Sequence, residues 1–391
     1  MLLQNMYSSQ KFVIVTHTYV AGAPQALRDF LIHKKVNKIV FIGHPFSYCE
    51  DIRSFMEQYN SGNFVSKRCF PNLKCPDFLL YIKDIFATLF FISSSRTRYD
   101  VYVGVDPLNA IVGLFLRKMN LVDRVIFYTI DYVPKRFENN FLNKAYHYID
   151  TLCTKNCDVV WNLSPYMANE RQKKGIDEGN SSQIVVPVGI NCNEIPPINL
   201  TDRKTFVYLG GLHDYYGVEL IIDCLVELSK KELKFNCVII GRGSLEDRLR
   251  ESIEENNLEE YVDFRGFVKE DEEVNKILKK CAFGLAVYRP DSTSFKKYTD
   301  VTKPKTYMSF GLPVVITDVP PIAKKIREDG AGVVINYDRS ELEDAIVKLL
   351  TDDDFYNQSR ENAIQLVSRY DWNKIFSDAI STSLEHNKNV N

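Results

Sequence analysis

Residues 299–320 read TDVTKPKTYMSFGLPVVITDVP and predict a short helix followed at once by a strand. Two lysines, Lys303 and Lys305, flank a proline at the helix start, a position that suits proline. Gly311 ends the helix after two turns, and Pro313 leads into an apolar strand. Free amides at a helix start attract phosphate, so the stretch raises the question of which anion the lysines hold.

The same alternation of strand and helix runs through the whole chain. Predicted strands of the first half are KFVIVTH, NKIVFIG, YDVYVGVD, RVIFYTID, DVVWNLS and SQIVVPVGI. Those of the second half are TFVYLGG, FNCVIIGRG, YVDFRGF, FGLAVY, PVVIT and AGVVINY. Amphipathic helices separate the strands, which predicts parallel sheets with helices on both faces. We expect an α/β protein with two doubly wound domains, 1–195 and 196–369, and a C-terminal helix in 370–391.

Composition narrows the function classes. The 391 residues carry a formal net charge of −2, whereas nucleic-acid binders are usually basic. Nine cysteines without a Cys-x-x-Cys pair are typical of a reducing compartment, and we interpret Cys153 and Cys157 as buried thiols. The start of the chain is polar and shows no secretory signal, so we expect a cytoplasmic protein.

The most apolar segment is DFLLYIKDIFATLFFI, residues 77–92. It is too short to span a bilayer and contains a lysine and an aspartate. We interpret it as a mostly buried helix of the first domain. The alternative is an interfacial helix that touches lipid.

Three loops at predicted strand ends of the second half could hold phosphate. Gly210 and Gly211 follow one strand, and Arg242 and Gly243 lie between the next strand and a helix. Glycines allow a ligand to approach the backbone closely. Together with the two lysines of the opening stretch, these loops indicate a phosphorylated ligand. Their spacing does not match the G-x-G-x-x-G fingerprint, which argues against a nicotinamide or flavin enzyme.

The order of the motifs resembles the GT-B glycosyltransferases, especially the large retaining group known as glycosyltransferases group 1. The matching segments are PVGIN, YLGGLHDYYGVELII, VIIGRGSLEDRL, VDFRGFV, KTYMSFGLPVVITDVP and EDGAGVVIN. The resemblance implies two Rossmann-like domains facing a central cleft. In that arrangement 196–369 binds a nucleotide-sugar donor, 1–195 binds the acceptor, and the helix of 370–391 packs back on the first domain.

The resemblance also implies a set of donor-binding residues. The set is Gly210, Gly211, Arg242, Gly243, Phe267, Val268, Asp300, Lys303, Lys305 and Thr306. The glycines would lie near the diphosphate and the sugar, and Phe267 and Val268 would line the base. The helix start at 303–306 would face the ribose and the phosphates.

Two departures from the family pattern alter this donor site. Tyr298 and Thr306 occupy the positions of the two glutamates of the E-x7-E motif, and Gly211 and Tyr216 replace the usual arginine and lysine. Lys303 is therefore the leading phosphate candidate. No metal or other cofactor is expected, because the family neutralises the leaving diphosphate with basic side chains and helix amides.

On the acceptor side, the resemblance points to strand ends of the first domain. The expected residues there are His17, Gly22, Ala23 and Asp106. Where family members often have His-Asp, this chain has Ile130 and Asp131. Asp131 is either a catalytic residue that acts as a base or orients the acceptor hydroxyl, or the cap of a turn.

The sequence thus predicts a glycosyltransferase that moves a sugar from a nucleotide-diphosphate sugar to a glycan or polyprenyl-linked acceptor. The resemblance favours retention of configuration and a reaction without metal. We also expect peripheral contact with the inner face of a membrane and no binding of nucleic acid. The alternatives are a GT-B sugar-nucleotide epimerase and a non-catalytic GT-B scaffold.

Overall fold

The protein consists of two compact units in the computed structural model. The first comprises Met1–Pro187 and Trp372–Asn391, and the second comprises Val188–Asp371. The structure describes residues 9–385 apart from 19–21, 72–76, 131, 133–134, 136–138, 177–181, 193–202, 232 and 291–299. What each unit binds stays a prediction.

The first unit is built on an eight-stranded sheet. Its strands are β1 (Lys11–Thr18), β2 (Lys38–Pro45), β3 (Phe55–Asn60), β4 (Asn63–Cys69), β5 (Tyr99–Val105), β6 (Val122–Thr129), β7 (Val159–Asn162) and β8 (Ser182–Val185). The order is β4-β3-β2-β1-β5-β6-β7-β8. All neighbours pair in parallel except that β3 runs antiparallel to both β2 and β4.

The hairpin of β3 and β4 is absent from the sequence-based strand assignment. Its two-residue turn uses Ser61 and Gly62, both with positive φ (48° and 86°). Strand β4 lies at the sheet edge, and nearly all of its side chains are exposed. It therefore lacks the alternation of apolar and polar residues by which a half-buried strand is recognised.

The helices of the first unit are α1 (Ala23–His33), α2 (Asp77–Ser94), α3 (Pro107–Lys118), α4 (Asn140–Asn156), α5 (Pro165–Lys173) and α13 (Trp372–Glu385). Helix α13 packs on α1, with the rings of Phe30 and Phe376 5.7 Å apart. The indole Nε1 of Trp161 donates a hydrogen bond of 2.8 Å to Ser383 Oγ. The first unit is therefore completed by residues that follow the second unit in the chain.

The second unit is built on a six-stranded, fully parallel sheet. Its strands are β9 (Thr205–Leu209), β10 (Asn236–Ile240), β11 (Val262–Gly266), β12 (Phe283–Ala286), β13 (Val314–Thr317) and β14 (Gly332–Ile335), in the order β11-β10-β9-β12-β13-β14. Its helices are α6 (Val218–Ser229), α7 (Glu246–Glu255), α8 (Asp271–Leu278), α9 (Lys303–Ser309), α10 (Ile322–Asp329), α11 (Arg339–Thr351) and α12 (Asp353–Ser368). All six strands match the sequence-based assignment, and the predicted doubly wound α/β fold is confirmed.

Each sheet has one point at which the chain reverses its direction of winding. In the second unit this point lies between β9 and β12, and in the first unit it lies between β1 and β5. Ligands of open parallel sheets bind outside the carboxyl ends of the strands at such points. The loops that follow β9 and β1 are therefore the places to look for a site in each unit.

Candidate functional site

The loops that follow β9, β10 and β11 are hydrogen-bonded to one another. The bonds run from Gly210 N to Ile240 O (2.9 Å), from Leu212 N to Arg242 O (2.9 Å) and from Gly241 N to Gly266 O (2.8 Å). These backbone bonds gather the predicted glycine loops at one edge of the sheet.

Two glycines make this close approach possible. A Cβ atom on Gly241 would lie 1.8 Å from the carbonyl oxygen of Gly210, and one on Gly243 would lie 2.1 Å from that of Leu212. Both contacts are with backbone atoms, which cannot turn aside as a side chain does. Any other residue at either position would push the loops apart.

The start of helix α9 lies against the first of these loops. A Cβ on Gly210 would lie 2.8 Å from Lys303 Nζ, and this Nζ lies 4.3 Å from the centre of the Tyr216 ring. The structure thus brings Lys303 and the Gly210–Gly211 loop together. Thr306, one turn along the helix, is half-buried, and its hydroxyl donates to the Thr302 carbonyl at 3.3 Å.

A flat platform lies at the end of β11. The guanidinium carbon of Arg242 lies 4.4 Å from the centre of the Phe267 ring, and this phenylalanine is 57% exposed. Val268 packs partly buried against the core of the unit. An exposed aromatic ring beside a guanidinium is a surface on which a nucleobase can stack.

The side chain of Lys305 lies inside the second unit. Its side chain is fully buried, and Nζ donates hydrogen bonds of 2.6 Å to Asp300 Oδ2 and to the Val188 carbonyl. Burial lowers the pKa of Lys305 and raises the pKa of Asp300, although the two groups attract each other. These contacts are internal to the second unit, and the donor contact predicted for Asp300 and Lys305 stays a prediction.

In the first unit, His17 lies at the end of β1, beside the winding reversal. Its Nδ1 accepts from the Asn109 amide at 3.2 Å, because that amide nitrogen can only donate; the same nitrogen donates to Val105 O at 2.7 Å. This assignment places the ring proton on Nε2, 3.4 Å from Asp84 Oδ2. Both ring nitrogens of His17 therefore face protein groups.

Asp84 is the centre of a buried polar cluster that the sequence analysis did not identify. Ser54 donates to it at 2.9 Å, and Lys83 Nζ lies 3.1 Å away. Burial opposes its ionisation, but the contacts with His17 and His44 outweigh burial and hold the pKa of Asp84 well below its ordinary value. Burial lowers the pKa of His44, whose ring nitrogens bond to the hydroxyls of Ser54 and a threonine of α2.

The remaining acceptor-side residues lie at helix starts. Gly22 precedes α1, and its N–H donates to Gln25 Oε1 at 3.0 Å; Ala23 is buried in the first turn. Asp106 precedes α3 with φ 66° and ψ 159°, a conformation that costs energy for any residue except glycine and that is enriched at functional sites. Asp131 lies outside the described residues.

Comparison with known proteins finds a family model that is similar to most of the second unit. Residues 203–352 match the family model Glycosyl transferases group 1. The matched stretch lies within the second unit. A curated relative, the GDP-mannose:cellobiosyl-diphosphopolyprenol alpha-mannosyltransferase of Xanthomonas oryzae pv. oryzae, is 26% identical over 180 residues, which are 45% of this chain and 45% of the relative. The chain spans about half the length of the curated relatives it matches.

Solved structures extend the likeness to both units. The glycosyltransferase from Rickettsia africae superposes with a TM-score of 0.68 at 14% identity, over 98% of this chain and 100% of the other. Anabaena HepE in complex with UDP-glucose gives 0.65 at 14% identity, over 96% and 99%. The fold of the chain is GT-B, with two Rossmann-like sheets.

The matched stretch contains all the predicted donor residues, and the structure joins three of its loops and the start of α9 there. The polar cluster around Asp84 lies outside that stretch. Its signal in the sequence was the adjacent Lys83 and Asp84 inside an otherwise apolar helix. Within the described ranges, no group of three or more histidine, cysteine, aspartate or glutamate side chains could hold a metal ion.

Proposed function

We propose that this protein is a glycosyltransferase that moves a sugar from a nucleotide-diphosphate sugar to a glycan or polyprenyl-linked acceptor. The observation that carries the proposal is the contact between Lys303 and the Gly210 loop, in the stretch that matches the model Glycosyl transferases group 1. This contact gathers a positive charge and exposed backbone at the carboxyl edge of a parallel sheet. Such an edge suits a diphosphate.

In the proposed complex the nucleobase stacks on Phe267 beside Arg242, and the diphosphate lies between the Gly210 loop and Lys303. As the acceptor oxygen attacks the anomeric carbon, the bond from that carbon to the diphosphate oxygen breaks. The lysine and the helix amides then stabilise the charge that develops on the leaving diphosphate. A retaining reaction without metal fits this arrangement, because the leaving phosphate can take the acceptor proton. Asp131 remains our candidate for orienting the acceptor hydroxyl.

Nucleotide binding tests the donor part of the proposal. We expect titration calorimetry with UDP-, GDP- and dTDP-sugars to find one class that binds. Lys303→Ala should weaken that binding roughly tenfold to a hundredfold, the value of a charge-assisted hydrogen bond. Lys324→Ala, which removes a 75% exposed lysine of the same unit, is the matched control and should change nothing. Absence of binding by every donor would contradict the proposal.

Product analysis then separates transfer from the alternatives. With donor and no acceptor, a transferase gives at most slow hydrolysis, whereas an epimerase gives a second sugar nucleotide. The configuration at the anomeric carbon of the product, read by NMR, tests retention.

We further propose that the first unit contacts a membrane surface through α2, α3 and α4. These helices lie side by side on one face of the sheet. They carry eight of the fourteen exposed large apolar side chains among the described residues: Tyr81, Ile82, Phe86, Phe90, Phe115, Phe141, Leu142 and Tyr148; a ninth, Met119, directly follows α3. The described surface of the second unit exposes one such side chain, Phe267.

The charges of this three-helix face support an anionic lipid as its partner. In the described parts of α2, α3 and α4, the exposed charged residues are Lys118, Lys144 and Lys155, and none is acidic. A lysine near an anionic surface contributes about 1 kcal/mol of binding. Among the described residues, no helix is long and apolar enough to cross a bilayer, so the proposed contact is peripheral.

Vesicle flotation tests the three-helix face. We expect binding to phosphatidylcholine vesicles that contain phosphatidylglycerol and weak binding to phosphatidylcholine alone. Phe86→Ser with Phe90→Ser should release the protein, whereas Val185→Ser, at an exposed apolar side chain of β8, should not. Equal binding by both variants, or none by the parent, would overturn the membrane proposal and leave the donor proposal untouched.

A further inference from the structure

A buried ion pair joins the donor helix to the backbone at the start of the second unit. Lys305 Nζ donates to the Val188 carbonyl, and the Val188 N–H donates to Asp300 Oδ2, each at 2.6 Å. The third contact of the set is the 2.6 Å bond between Lys305 and Asp300 themselves. The backbone N–H and the carbonyl of Val188 are therefore both hydrogen-bonded by the same ion pair.

The segment at the other end of this unit reaches the same place. Lys305 Nζ lies 4.2 Å from the centre of the Tyr370 ring, and Ile190 N donates to the Tyr370 carbonyl at 2.8 Å. Val188 is the first residue of the second unit and Tyr370 the last but one. Lys305 thus contacts both segments through which the chain enters and leaves this unit.

The same turn of helix carries the candidate phosphate ligand on its other side. Lys303 and Lys305 are two residues apart, about 200° around an α-helix, so they point in opposite directions. Lys303 faces the Gly210 loop and the Tyr216 ring, while Lys305 faces Val188. A shift or rotation of α9 that displaces Lys305 therefore also displaces Lys303 relative to the glycine loop.

Stability alone does not account for a charged pair at this position. Replacing both members of a buried ion pair by well-packed hydrophobic side chains of similar volume is often neutral or stabilising, although removing one member alone is strongly destabilising. The opposed pKa shifts of Asp300 and Lys305, each caused by burial, agree that the charged forms are held at a cost. The two short, directional hydrogen bonds to Val188 give the start of α9 a defined geometry.

We propose that Asp300 and Lys305 are positioning residues for the donor, which fix the start of α9 so that Lys303 stands over the Gly210 loop. They act through Lys303 and do not touch the nucleotide. This inference rests on the proposed function, because it assigns these residues to the same donor site.

The test compares the parent with Lys305→Met/Asp300→Asn, which removes both charges and keeps the volumes similar. UDP, GDP and dTDP are the probes, titrated by calorimetry well below the unfolding temperature. We expect the double variant to unfold within a few degrees of the parent and its dissociation constant for the bound nucleotide to rise at least tenfold. A folded double variant that binds as the parent does would overturn the positioning role and leave the glycosyltransferase proposal standing. If the parent binds none of the three nucleotides, both proposals fall.

A second comparison asks whether the effect passes through Lys303. In a Lys303→Ala background, the double replacement should weaken nucleotide binding less than twofold further, since the group that it positions is already gone. If the fold losses of affinity from Lys303→Ala and from the double replacement instead multiply, the pair does not act through Lys303, and the proposal would be wrong.

The buried ion pair of the first unit, Arg171 with Asp150, is the matched control. Both side chains are essentially fully buried, and Arg171 Nη2 lies 2.6 Å from Asp150 Oδ1. Arg171→Met/Asp150→Asn should leave nucleotide affinity unchanged. If Lys305→Met/Asp300→Asn does not fold, Lys305→Gln/Asp300→Asn retains a donor for the Val188 carbonyl and should show the same loss of affinity. Failure of both to fold would make the pair a stabilising element and overturn the proposal.

Discussion

Gly241→Ala should damage the second unit more than any change of one methyl group elsewhere in its loops. The new Cβ would lie 1.8 Å from the Gly210 carbonyl oxygen, whereas real Cβ contacts are not found under 3.0 Å. The loops after β9 and β10 must therefore separate by about 1 Å. That displacement breaks the hydrogen bonds of Gly210 N and Gly241 N, at 2.9 and 2.8 Å. Two lost bonds and the strain of φ +157° amount to roughly 2–6 kcal/mol.

Urea unfolding with two probes measures this loss unit by unit. Both tryptophans, Trp161 and Trp372, belong to the first unit, so tryptophan fluorescence reports that unit. Far-ultraviolet circular dichroism reports both units. The part of the dichroism transition that fluorescence does not follow belongs to the second unit. We expect Gly241→Ala to shift that part to lower urea concentration and to leave the fluorescence transition unchanged.

Gly175→Ala separates backbone strain from collision. Gly175 has φ +68°, but a Cβ there meets no atom within 4 Å, so the change costs only about 1 kcal/mol. If Gly241→Ala costs its unit no more than Gly175→Ala costs the first unit, the inference that backbone contact dictates glycine at 241 is refuted.

Three further predictions concern both units. Arg171→Ala should lower the free energy of unfolding of the first unit by about 3–5 kcal/mol, because it leaves the buried Asp150 carboxylate without its partner. Replacement of the exposed Lys173 by alanine should lower it by less than about 1 kcal/mol, and thermal unfolding measures both. The free energy of unfolding should fall as the pH drops below 6.5, because His44 then takes up a proton in the unfolded chain but not in the folded one. It should fall further below pH 3.8, because Asp84 likewise takes up a proton in the unfolded chain first. A melting temperature independent of pH between 7 and 3 would contradict both. Phe267→Ala should weaken UDP or GDP binding by about 1–3 kcal/mol, the value of base stacking, while Phe267→Trp should preserve it.

The four inner strands of the second unit, β9, β10, β12 and β13, could be predicted because they are buried on both faces. A strand covered by helices on both sides needs consecutive apolar residues, and runs such as those of β10 and β13 are visible without a structure. The β3–β4 hairpin lacks that signal, because nearly all side chains of its outer strand are exposed. Its one sequence cue was the Ser-Gly pair at 61–62, a common turn dipeptide.

Long-range partners explain what the sequence could not reveal about the candidate site. The helical period already places Lys303 and Lys305 on opposite sides, but it does not say which side faces the glycine loops. Val188, which decides the matter, lies more than one hundred residues earlier in the chain. His17 and Asp84 are likewise separated by several elements, and nothing in the sequence pairs them.

The split first unit has a consequence for synthesis of the chain. The packing of α13 on α1 and the bond from Trp161 to Ser383 cannot form until the ribosome has made the whole of Val188–Asp371. At ordinary translation rates that interval lasts roughly 10–40 s. During it the surface that α13 will cover, including Phe30, remains open, while the contiguous second unit can already fold. The nascent chain therefore carries an unfinished apolar face for a time far longer than most domains need to fold, and this period is when a chaperone would have most to gain by binding it.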